Sequence, residues 1–148
     1  TIDVCAFKHF HELTELDLSH NNISNLLRGI FSPLDNLEKL IVSHNRLIQI
    51  DSPLVFPLIR LKTLDVSSNE LVNWDVRPVI SHIKTLNHVD LSENTWDCRF
   101  LTVILKALSD RGIDVKPRRT VILHEENVNG IRCANQTERN IVQDQDIT

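Results

Sequence analysis

The sequence predicts an α/β solenoid: a right-handed coil with short parallel strands on a concave side, an irregular convex side, and a C-terminal helical cap. Two observations carry this. A pattern of the form LxxLxLxxNxL occurs four times, beginning at Leu13, Leu37, Leu61 and Leu86, at steps of 24, 24 and 25 residues. After Trp96 the period stops, and a different periodicity begins. Self-similarity at a fixed period of this size is the mark of stacked repeats, none of which can bury its own apolar face alone.

Each position of the pattern has a physical reason. Leu16 and Leu18 alternate as side chains alternate on a strand, so both face inward. The four copies carry their asparagine at Asn21, Asn45, Asn69 and Asn94, two residues before the closing Ile23, Leu47, Leu71 or Trp96. A side-chain amide there can bond turn backbone in its own and the neighbouring coil, which predicts a structural asparagine ladder. On the return arms Leu26, Ile50 and Trp74 share one phase, Phe31, Val55 and Val79 a second, and Leu34, Leu58 and Ile83 a third. These are the expected inward positions. Pro33, Pro53, Pro57 and Pro78 lie on the same arms and disfavour long helices, so extended or short 3₁₀ segments are expected.

Three regions follow: repeats over 1–95, beginning mid-repeat with Phe7 and Phe10 in the phase of Phe31 and Leu34; a cap over 96–133; and a polar tail or linker over 134–148. In the cap, Phe100, Leu101, Ile104, Leu105 and Leu108 place an amphipathic helix over 97–111, ended by Gly112. A β-rich stretch at Val115 and Val121–Leu123 and a loop through Asn129-Gly130 complete it. The chain does not begin with Met, which is expected of a processed product or a fragment.

Composition narrows the function classes. The net charge is −4 and the pI about 5.9, which argues against a dedicated nucleic-acid binder. No run approaches 18 uninterrupted apolar residues, so no membrane span is expected. Only three Gly are present, and no phosphate-cradling GxGxxG or GxxxxGK[ST] occurs. No GxSxG, HExxH or Cys–His signature appears, so no catalytic residue, cofactor or metal is assigned. His20 and His44 share a repeat phase, but no acid or Cys column completes a metal site.

The repeats, with phrases such as LDLSHNNI and LDVSSNEL, resemble the typical 24-residue class of extracellular animal leucine-rich-repeat proteins. The stretch NTWDC, a helix and then Cys133 looks like that class's cysteine-bearing cap, in a reduced form with two cysteines where four are usual. Within the class the chain is most similar to the insect, mosquito complement-like leucine-rich-repeat immune proteins. The resemblance implies pairing with another leucine-rich-repeat chain and carriage of a thioester-containing defence protein. No coiled-coil segment of that family lies within these 148 residues. It also implies a disulfide between Cys98 and Cys133; two buried thiols are the alternative. Cys5 is left over, to pair elsewhere or to pack as a thiol.

The function expected is non-catalytic, extracellular protein binding in innate immunity; a receptor ectodomain or adhesion fragment is the alternative. The candidate partner surface is the concave sheet, read as columns. Glu15, Lys39, Thr63 and His88 form one, and Asp17, Ile41, Asp65 and Asp90 another. Ser19, Ser43, Ser67 and Ser92 form a third, of small residues open to a partner. The acids of the second column are expected to lie in water as a ligand-facing stripe, replaceable without cost to stability. Asn22-Ile23-Ser24 and Asn135-Gln136-Thr137 are acceptor sequences for N-glycosylation, at Asn22 and Asn135, in keeping with a secreted chain.

Overall fold

A computed structural model describes residues 1–115 and 126–135. Four three-residue strands, β1 (Glu15–Asp17), β2 (Lys39–Ile41), β3 (Thr63–Asp65) and β4 (His88–Asp90), pair in parallel in chain order. Their register places Glu15, Lys39, Thr63 and His88 side by side, and likewise Asp17, Ile41, Asp65 and Asp90. Between these columns Leu40, Leu64 and Val89 point into the coil and are buried, while Leu16 at the sheet edge is half-buried. Behind them lie Phe31, Val55 and Val79, and then Leu34, Leu58 and Ile83, all buried. The fold is thus a leucine-rich-repeat solenoid whose core is one layer of aliphatic side chains per coil.

The asparagines link the coils. Asn45 Oδ1 accepts the backbone N–H groups of Asn21 and Ile23, one coil earlier, at 3.0 and 2.9 Å. Its Nδ2 donates back to Leu18 O in that coil and to Val42 O and Ser43 O in its own. Asn69 and Asn94 repeat the arrangement, accepting from Leu47 and Leu71 and donating to Val42 and Val66 respectively. The residue just before each asparagine in the first two coils, His20 or His44, and two before it in neither, sits at positive φ; Ser68 and Glu93 do the same in the next two coils. That left-handed step is costly for a side chain with a Cβ. The ladder bonds are what hold it in place.

The return arms contain more helix than the prolines suggest. α1 (Ser52–Val55) and α2 (Arg77–His82) are single short helices, each with proline in its first two positions. Proline's fixed φ suits a helix start, where its missing N–H costs nothing. The residue that forbids a long helix therefore opens a short one.

In the cap, β5 (Trp96–Asp97) runs directly into α3 (Cys98–Asp110). Leu101, Ile104, Leu105 and Leu108 are its buried face. Asp97 is the N-cap and accepts from Arg99 N at 2.9 Å. Gly112 takes φ 67 past the helix end. β6 (Asp114–Val115) then joins β4, so the main sheet has five strands. The Asn129-Gly130 segment is a hairpin turn, not a loop. Both residues have positive φ, and β7 (Asn127–Val128) pairs antiparallel with β8 (Ile131–Ala134). This is the backbone that a two-residue Asn-Gly turn favours. β8 also pairs in parallel with β5, opposing Cys133 to Trp96. Ala134 is thus the last residue of a strand rather than the start of a tail. The expected strand at Val121–Leu123, His124, and the tail from residue 136 lie outside the described residues.

Cys98 and Cys133 form a disulfide, with Cα atoms 5.0 Å apart. It ties α3 to β8 across 35 residues, worth about 4 kcal/mol on a chain-entropy argument. Cys5 is an exposed free thiol, so it is not packed in the core.

Two predictions follow from the ladder and the cap. Asn45→Ala removes an acceptor for two buried or part-buried amides and should cost about 2–3 kcal/mol in chemical denaturation. Asn21→Ala, whose amide donates only to Leu18 O and Ser19 O at an exposed position, should cost clearly less. Equal losses would mean that the ladder does not transmit between coils. For Asp97, burial is the largest influence and pushes its carboxyl up. Hydrogen bonds from the Arg99 backbone and guanidinium outweigh it and hold the group below the usual carboxylate value. A depressed folded-state value stabilises above the unfolded value, near 3.9, and that contribution disappears as pH falls through the folded one. Asp97→Asn should therefore lower the denaturation midpoint at pH 7 but progressively less toward pH 3. A constant difference across that range would contradict the assignment.

Candidate functional site

The sheet face displays the outward residues of β1 to β4 and β6. The first column begins with Glu15 and Lys39, paired at 3.2 Å, continues through Thr63, and ends with His88 Nδ1 3.2 Å from Asp114 Oδ2. Asp114 was not among the residues the repeat assigns to this column, because β6 falls outside the repeat. Its place 26 residues after His88, between Ile113 and Val115, is the one trace it leaves in the sequence. Within the column Glu15 and Lys39 neutralise each other.

The second column differs from the sequence reading. Its aspartates are graded in exposure, Asp17 open, Asp65 half-buried and Asp90 buried, and each is engaged by a serine. Asp65 Oδ1 accepts from both N–H and Oγ of Ser67, at 2.9 and 2.6 Å. Asp90 does the same with Ser92, at 3.1 and 2.6 Å, and is only 7% exposed. Asp17, at the sheet edge, accepts from Ser19 N at 2.8 Å. Hydrogen bonds from Ser19 and, more weakly, the nearby charges of His20 and Lys39 keep its carboxyl below the usual value against some desolvation. These carboxylates close turns at the strand ends. Ser43, Ser67 and Ser92 are buried, so the third column is no contact surface either, save for half-buried Ser19. Sequence reasoning missed this, although Asp-x-Ser in LDLS, LDVS and VDLS is the spacing of such a turn.

At the edge of the face the imidazoles of His20 and His44 stack, with centroids 4.3 Å apart and planes 10° from parallel. Among the described residues no group of three or more His, Cys, Asp or Glu could hold a metal ion. No described helix is long and apolar enough to cross a membrane. The best-formed cleft lies away from the sheet. It measures about 240 Å³ and is lined by Trp74, Val76, Phe100, Val103 and Ile104, with the Asp75–Arg77 ion pair (2.8 Å) at its rim. Phe100 and Val103 are 42% and 56% exposed there. The one titratable pair at this cleft is spent on itself. The Arg77 side chain holds the Asp75 carboxyl below its usual value, and Asp75 raises Arg77 in turn.

Comparisons agree with this geometry. A family model described as leucine rich repeat matches residues 1–47. No curated protein sequence matches the chain. Among solved structures, the leucine-rich repeat domain of APL1B superposes with a TM-score of 0.56 and 20% identity, over 66% of this chain and 34% of that one. A leucine-rich-repeat protein of Leptospira interrogans gives 0.67 and 27%, over 78% and 28%. A chain of the Toll–Spatzle complex of Drosophila gives 0.56 and 22%, over 64% and 13%. The chain spans about a third or less of the length of each. These likenesses show the leucine-rich-repeat fold, with the family model itself matching the first 47 residues.

The aspartate turns generate a prediction opposite to that of a solvated stripe. Asp90→Lys should lower the thermal midpoint by several degrees, since it buries a charge and frees the Ser92 amide. An unchanged melting curve would return the column to the solvent.

Proposed function

We propose that this chain is a non-catalytic, secreted protein-binding module of innate immunity. It holds a partner of the complement-like, thioester-containing kind on its sheet face, alongside a second leucine-rich-repeat chain. The observation that carries the reading is the row Glu15, Lys39, Thr63, His88 and Asp114, five strands in one register, with half-exposed Ile41 beside it. Such a face offers a long line of contacts and no recess with convergent acids and bases, which suits recognition rather than turnover. The disulfide supports an oxidising compartment. The Drosophila complex is described as a molecular hub in development and innate immunity, which supports the setting.

Because Glu15 and Lys39 are paired with each other and Asp65 and Asp90 are engaged by serines, docking rests on shape and hydrogen bonds around Ile41 and Thr63. It should depend little on salt. The test is capture from the source's extracellular fluid by immobilised chain, with any thioester protein marked by uptake of labelled methylamine. Wild type should retain a labelled protein, at low and at moderate salt alike. Ile41→Glu combined with Thr63→Glu should lose it without a change in melting. Retention by both proteins would move the interface off the sheet, and retention by neither would remove the partner class.

A further inference from the structure

The two acceptor sequences stand in unlike surroundings. Asn22 is exposed, and no hydrogen bond engages its side chain among the described residues. Its backbone is held at φ 55 between two anchored neighbours. On one side the Asn21 amide donates to Leu18 O and Ser19 O. On the other, Ile23 is buried and its N–H is bound by Asn45 Oδ1. Ser24 is exposed. Anchored flanks thus present a free amide and the required hydroxyl to solvent. Asn135 is half-buried two residues after Cys133, and its Nδ2 donates to both carboxylate oxygens of Glu126 at 3.2 Å.

We propose that Asn22 is the N-glycan acceptor of this chain and that Asn135 is not. This rests on the secreted reading above. The donor is an oligosaccharide on a lipid diphosphate. A bond forms from Asn22 Nδ2 to the anomeric carbon, the anomeric carbon–oxygen bond to diphosphate breaks, and the nitrogen gives up one proton as the lipid diphosphate leaves. The amide keeps one N–H. At Asn22 that loss disturbs nothing, because neither hydrogen is used. At Asn135 the side-chain nitrogen is already held against the Glu126 carboxylate through a shared N–H, so a glycan there must keep that contact with its one remaining hydrogen and fit against the disulfide-held end of β8.

The position also has a direction. Arg46 and Glu70 follow Asn22 at one-coil steps, with Arg46 N bonded to Ile23 O and Glu70 N to Leu47 O. They are exposed and paired at 3.6 Å. Coils stand about 4.8 Å apart, so a branched sugar on Asn22 lies over this flank. The column Glu15, Lys39, Thr63 and His88 is a different row.

The experiment secretes the chain from animal cells behind a cleavable leader and maps glycopeptides of the folded, disulfide-bonded product. Most molecules should carry sugar at Asn22, and Asn135 should carry it in at most a minor fraction. Asn22→Gln and Ser24→Ala should each remove the sugar mass while leaving the melting curve of the deglycosylated protein in place. Bare Asn22 in secreted, disulfide-bonded chain overturns the proposal, as does equal occupancy at Asn135. Neither result touches partner capture on the sheet face, which is measured separately on the same material.

Discussion

The structure depends on how the backbone at each turn finds hydrogen-bond partners without a helix or a long strand to supply them. Three-residue strands leave most of a coil's amides unpaired, and burial without partners would cost more than the aliphatic layer returns. Backbone bonds within and between coils pair many of them, such as Val42 N to Asp65 O and His44 N to Ser67 O, and one asparagine per coil takes amides at the turn that these leave. A side-chain carbonyl takes amides of the preceding coil, and the amide nitrogen binds carbonyls on both sides. The leucines can then stack because the polar groups around them are satisfied. The positive φ of His20, His44, Ser68 and Glu93 is tolerated for the same reason.

That economy explains why the sheet face is less polar to a partner than its sequence suggests. Asp65 and Asp90 extend the principle by capping the Ser67 and Ser92 amides, and the serine hydroxyls complete the arrangement. Side chains of polar character are spent inside the fold. What stays open on the sheet face is a narrower set: Glu15 with Lys39, Asp17, Ile41, Thr63, half-buried Asp65, and His88 with Asp114.

The repeat phase made the strands, their register and the inward columns readable, because a strict period leaves each position few roles. The cap helix was readable from its own 3.6-residue spacing. What escaped was set by single local choices rather than by periodicity. Pro53 and Pro78 open helices, where a general rule reads them as breakers. Asn129-Gly130 makes a hairpin whose strands are too short to show alternation. The Asp-x-Ser turns look identical in sequence whether exposed at Asp17 or buried at Asp90, since burial depends on how many coils cover them. Of the site, the columns were legible; which members stay open to solvent was not. The join of β6 to β4 brings Asp114 to His88 outside any repeat.

The graded cover along the stack has a mechanical consequence. Leu13, Leu16 and Leu18 in the first coil are half-buried, whereas Leu37, Leu40, Leu61 and Leu64 are sealed, and the far end is closed by α3 and a covalent cross-link. Each coil bonds chiefly to its neighbours, so opening does not have to be all-or-none. The molecule is polarised like a zip fastened at one end. In these 148 residues taken by themselves, amide protons of the β1 coil should trade with solvent first, and protection should climb coil by coil toward the disulfide.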